Sequence, residues 1–196
     1  MHKKLYLALS IGVFFSLMIH SQPVYACACC SEAGQRAEGY APITEIGIAL
    51  SDLKFGESAA LARDYQDEER PELAVPSDYK VSVLQNDRQV AFDFRGSNGE
   101  RGSLIFTKPN MYSYFVVDTL GKDDGKFGPP LYKELSFKSL LRATGIFESN
   151  AARGQSVELI LQGTGLSCPN VLDYKRWMLI ANGPKVRFKF IGNLEQ

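Results

Sequence analysis

The sequence predicts a mainly β fold, an antiparallel barrel or two-sheet sandwich of about eight strands, and three features carry that expectation. From Tyr79 onward, apolar residues alternate with polar ones at a period of two. Turn-forming residues recur between these runs. No helical period of useful length interrupts them after residue 79.

The strands follow in order. Val81 and Val83, then Val90, Phe92 and Phe94, alternate with polar residues on either side of Gln85-Asn86-Asp87-Arg88, which is a hairpin pattern. Ser97-Asn98-Gly99-Glu100 marks the next turn, with Asn-Gly at its centre. Residues 103–108 and 111–119 read as strands, and in the second Tyr112 and Tyr114 share a core-packing face. A long Gly-rich loop spans 121–130. Its adjacent Asp123 and Asp124 suit a solvated turn better than a carboxylate pair for glycoside chemistry. Residues 131–147 hold one or two strands, with Leu135 and Phe137 on one face. Residues 157–162, 177–181 and 186–191 complete the set, and Asn182-Gly183-Pro184 turns the last pair. Short connections favour antiparallel neighbours. The expected core includes Val81, Val83, Phe92, Phe94, Phe137, Trp177, Val186, Phe188 and Phe190.

Before residue 79 the character differs. Residues 27–41 are rich in Cys, Gly and Ala and lack periodicity, and residues 43–53 are apolar enough to start the first strand. Residues 57–67 read as a short helix, because Ser58-Ala59-Ala60-Leu61-Ala62-Arg63 holds good helix formers and no Gly or Pro. The charged residues 66–71 and Pro76 then read as a solvated connector. The organisation expected is therefore a signal peptide over 1–26, a Cys-rich segment with the first strand, helix and connector over 27–78, and an antiparallel β domain over 79–196.

Residues 1–26 have the order of a secretory signal: Lys3 and Lys4, an apolar run from Leu5 to Ile19, a short polar stretch, then Val24-Tyr25-Ala26. The run is about fifteen residues, short of the roughly 20 of a spanning helix. Export to the periplasm or extracellular space follows, with no transmembrane span in the mature chain. A lipid anchor at Cys27 is the weaker alternative, since Tyr25 and the polar His20-Ser21-Gln22 suit a lipoprotein signal poorly.

Cleavage leaves two fewer basic than acidic residues, which is no footprint for nucleic acid. It also removes both histidines, His2 and His20. A mature chain without histidine excludes Ser-His-Asp and Cys-His nucleophiles, and equally a histidine-ligated zinc or ordinary blue-copper centre. An enzyme would have to work through carboxylates, tyrosines or thiols.

The cysteines carry the remaining chemistry. Cys27, Cys29 and Cys30 lie at the new N-terminus, and Cys168 stands far away in the chain. Four cysteines in an oxidising compartment suggest disulfides. A bond between adjacent Cys29 and Cys30 is strained, so Cys168 is expected to pair with Cys29 or Cys30. Such a strap closes a loop of roughly 140 residues, worth on the order of 4–5 kcal/mol in the chain-entropy model. The alternative is a soft-metal site for Cu(I), with Cys27, Cys29, Cys30 and Cys168 as thiolate ligands. Thiol–disulfide exchange at the Cys27/Cys30 spacing ranks last, because nothing nearby lowers a thiol pKa. The sequence thus predicts a non-catalytic envelope protein that binds a small ligand or an envelope partner, with soft-metal binding or sensing as the alternative.

Overall fold

The computed structural model describes residues 36–45, 51, 53–62, 78–86, 88–118, 131–148, 155–165, 171–182 and 187–195. Among them run ten strands: β1 (Arg36–Pro42), β2 (Lys54–Ala62), β3 (Asp78–Gln85), β4 (Gln89–Gly96), β5 (Arg101–Thr107), β6 (Met111–Asp118), β7 (Leu131–Gly145), β8 (Ser156–Gly165), β9 (Tyr174–Asn182) and β10 (Arg187–Glu195). All their pairings are antiparallel, in the order β1-β6-β7-β5-β4-β3-β2-β10-β9-β8. A further pairing of β8 with β7 closes eight of them, β7-β5-β4-β3-β2-β10-β9-β8, into a barrel.

The length of β7 explains the two strands outside the ring. Its second half pairs with β5, from Leu141 to Gly145, and its first half pairs with β6, from Leu131 to Ser136. β6 therefore prolongs the β5 edge beyond the barrel, and β1 lies against β6. Among the described strands, β1 alone is paired on one side only.

The predicted hairpins form for the expected reasons. Asn86 turns β3 into β4, its Oδ1 accepting from the backbone N–H groups of Arg88 at 2.9 Å and Gln89 at 2.8 Å. Gly99 turns β4 into β5 at φ +88°, a conformation open to glycine. Residues 131–147 hold one strand of fifteen residues followed by a turn.

Two expectations before residue 79 change. Residues 57–62 of the stretch expected to be helical belong instead to strand β2, which pairs with β10 and β3 and turns Ala59 into the core. Helix propensity differs by only tenths of a kcal/mol among ordinary residues, and here backbone pairing in the closing sheet overrides it. Residues 63–67 of that expected helix lie outside the described residues. The first described strand is β1, inside the stretch that had no periodicity. The expected strand at 43–53 begins instead as a 3-10 turn, Ile43–Glu45, and its residues 46–50 and 52 lie outside the described residues.

An eight-stranded barrel is just wide enough for its own side chains to fill it, and aromatic rings fill this one. Phe92 lies 5.1 Å from Trp177 and 5.3 Å from Phe55, and Phe94 lies 4.3 Å from Phe190. Val81, Phe92, Phe94, Phe137, Trp177 and Phe190 are buried as expected, and Val83 packs against them part-buried. Val186 and the side chain of Phe188 lie outside the described residues. Trp177 satisfies its indole N–H on the carbonyl of Asn193 at 3.1 Å.

Tyr79 has no such partner. Its buried hydroxyl makes no hydrogen bond among the described residues. Burial, aided by the charge of Glu100, pushes its pKa up from 10 to about 12. The folded state thus holds a proton that the unfolded chain releases from pH 10 upward. The corresponding stability is complete below pH 10 and is lost as pH rises toward 12. Tyr79→Phe is expected to raise stability at neutral pH by about 1 kcal/mol, by deleting an unsatisfied buried hydroxyl. It should also remove part of the alkaline loss, both read from urea melts at pH 7 and pH 11.

Candidate functional site

The inward phase of β7 runs through Leu131, Lys133, Leu135 and Phe137, so a lysine occupies a core position. Lys133 is 1 % exposed, and its Nζ donates to Asp173 Oδ2 at 2.6 Å. Asp173 ends a 3-10 turn, Val171–Asp173, between β8 and β9. Two glycines make room for it. A Cβ on Gly163 would fall 1.9 Å from the Asp173 carbonyl oxygen, and one on Gly165 would fall 2.0 Å from Oδ2. The pair fastens the turn across the rim formed by β1, β6, the first half of β7 and the end of β8.

The outer side of the same rim carries a polar ladder. The Tyr132 hydroxyl donates to Glu134, and Gln162 Nε2 from β8 donates to Tyr132 at 3.0 Å and to Glu134 at 2.7 Å. Burial raises the pKa of Tyr132, and the adjacent Glu134 raises it further, so the phenol is held neutral as a donor. Phe115 on β6 meets the Tyr132 ring at 6.3 Å, and the Arg36 guanidinium stands 4.9 Å over Phe115. Below the ladder, Ser136 donates to Glu158, which Lys138 approaches at 3.5 Å. These contacts tie β1, β6, β7 and β8 together. Chemically, they leave Tyr132, Glu134 and Lys133 engaged with one another's neighbours rather than aimed at a shared reactive point.

None of the sequence-predicted ligands, Cys27, Cys29, Cys30 and Cys168, lies in the described residues, and neither do Asp123 and Asp124. The register nevertheless sets in one row the two described strand ends that stand nearest these cysteines in sequence. Arg36 pairs with Val117, Val117 with Tyr132, and Tyr132 with Thr164. The start of β1 and the end of β8 therefore share a row at this rim. Among the described residues, no group of three or more His, Cys, Asp or Glu side chains could hold a metal ion.

Tyr112 and Tyr114 face inward on β6, as the alternation predicted, with ring centres 6.4 Å apart; Tyr112 is buried and Tyr114 leans over Gly39 of β1. Sequence reasoning missed Lys133, although its phase with Leu131, Leu135 and Phe137 was visible in the sequence. At this same end of the barrel, a cavity of about 30 Å³ remains among Leu53, Phe55, Val90, Phe106, Phe137 and Leu159. That is room for water, far below the roughly 300 Å³ at which ligand pockets begin. Comparison of the chain with protein-family models, with curated proteins and with solved structures finds no match.

Lys133→Met is expected to cost about 3 kcal/mol in chemical denaturation, because it takes the buried ammonium away from the Asp173 carboxylate. Adding Asp173→Leu should recover a large part of that loss, and a double-mutant cycle reads the coupling directly.

Proposed function

We propose that this chain is an exported, non-catalytic β-barrel of the cell envelope that binds its ligand or partner on the outer wall. The observation that carries this reading is the filled lumen. Where barrels of this strand number hold a small molecule, they leave a cavity for it, whereas here Phe55, Phe92, Phe94, Phe106, Trp177 and Phe190 occupy that space. A fluorescent fatty-acid probe is therefore expected to leave Trp177 emission unchanged. Saturable uptake that quenches Trp177 would overturn the outer-wall reading.

The cysteines serve this function as a strap. Strands lie about 4.8 Å apart, so the start of β1 and the end of β8 are separated by about 14 Å. Cys30 stands six residues before Arg36 and Cys168 three after Gly165. At up to about 3.5 Å per residue, these lengths reach roughly 20 and 10 Å, so the two groups can meet. The same convergence favours a second reading, a Cu(I) site of Cys27, Cys29, Cys30 and Cys168 at this rim. Intact mass of protein taken from the envelope, before and after reduction with alkylation, separates the two. The strap requires a chain starting at Cys27, with Cys168 bridged to Cys29 or Cys30. Four free thiols together with one bound copper would replace the strap by the metal reading.

A further inference from the structure

The register places three cations in one cross-strand row on the outer wall. Lys80 of β3 pairs with Arg95 of β4, and Arg95 pairs with Arg101 of β5. Their chain neighbours Tyr79, Val81, Phe94 and Gly102 are buried, and all three cations are exposed. Like charges directly opposite one another destabilise a sheet, and Arg95 has one on each side. The closest acids in sequence and register are Asp78, Asp93 and Glu100. Asp93 accepts from the Ser103 hydroxyl, Glu100 folds back toward Gly96, and Asp78 stands opposite Ala60. Among the described residues, no carboxylate lies within 4.0 Å of any of the three cations.

The wall continues with an apolar row. Two positions beyond Ser82, Asp93 and Ser103, Leu84 pairs with Ala91 and Ala91 with Ile105, and Leu84 is 62 % exposed. Cations and apolar groups thus share one convex face. The three charges span two strand spacings, about 10 Å. A convex row of this kind cannot surround a single ion, but it can lie along a plane of charge.

We infer that the β3–β4–β5 wall docks on anionic lipid headgroups, with Lys80, Arg95 and Arg101 against the phosphates and Leu84 at the headgroup boundary. This inference rests on the outer-wall reading and names the partner for it. Arginine pairs bidentately with phosphate oxygens, and each cation near an anionic surface contributes roughly fivefold to partitioning.

The test uses the mature protein with phosphatidylcholine vesicles, prepared with and without phosphatidylglycerol, in a sedimentation assay. Binding is expected only to the anionic vesicles and is expected to weaken with salt. Lys80→Gln/Arg95→Gln/Arg101→Gln should lower partitioning roughly a hundredfold. Lys175→Gln/Arg176→Gln should leave it unchanged, since β9 lies across the barrel from β4 and both of its side chains are exposed. The triple variant should also melt higher than the parent, because it relieves like-charge contacts, so loss of binding cannot be mistaken for unfolding. Absence of binding to anionic vesicles, binding untouched by the triple variant, or a lower melting temperature for that variant would overturn the inference. So would displacement by inorganic phosphate at matched ionic strength, which would mark a discrete oxyanion site instead. Failure here leaves the outer-wall reading standing, because only uptake of the apolar probe into the lumen removes that.

Discussion

Strands β4 and β9 lie diametrically opposite in the closed ring, yet Phe92 of one and Trp177 of the other meet at 5.1 Å. One ring contact therefore spans the lumen, whose width the eight-strand closure sets. The rest of the architecture follows from that closure. With eight strands joined in a ring, backbone donors and acceptors find partners around the circumference, and among the described strands an edge remains only where β6 and β1 extend past the ring along the first half of β7. Burial of large rings supplies the main favourable term, since aromatic side chains bury 150–250 Å² each at about 25 cal/mol per Å². The closed sheet in turn holds those rings in register.

A filled lumen demands that large and small residues alternate across facing positions. Gly192 pairs directly with Trp177, and a Cβ there would fall 2.4 Å from the indole. Gly39 leaves room for Tyr114 in the same way, and Gly163 and Gly165 leave room for Asp173. The last case differs in kind. A buried charge costs several kcal/mol to desolvate, so the space left for Asp173 is useful only because Lys133 points into it. Position on the barrel thus decides whether a glycine accommodates a ring or an ion pair.

These relations differ in how far they can be read from sequence. From Tyr79 onward the alternation was legible, because one face of each strand is buried and the other is wet. The Asn86 and Gly99 turns were legible from local chemistry. β2 was not, since Ala59, Ala60, Leu61 and Ala62 favour a helix in isolation and become a strand only between β3 and β10. Lys133 shares the inward phase of Leu131 and Leu135, but a charged residue there is unremarkable without its partner, which lies forty residues further along the chain. Lys80, Arg95 and Arg101 look unremarkable in sequence, because their contact exists only through register. Barrel and sandwich share one strand pattern, and the β7–β8 pairing that separates them is a long-range fact.

The two surfaces singled out here occupy opposite ends of β7. The ion-paired rim lies on its first half, at Tyr132 and Lys133, and the cationic row lies beyond its last residues, where the Ile146 N–H donates to the Arg101 carbonyl at 3.1 Å. Charge is handled differently at the two ends. At the rim, Lys133 is buried and must be compensated by Asp173, so removing either partner costs folding free energy. On the wall, the three cations are exposed, water and salt screen their repulsion, and the sheet tolerates the row at modest cost. The inner face of that same wall carries Tyr79, Val81 and Phe94, which pack with Phe147 and Phe190. The repulsive row therefore sits over a cluster of buried aromatic rings. A chain whose 22 basic and 22 acidic residues balance overall can in this way present a local positive face without losing the fold beneath it.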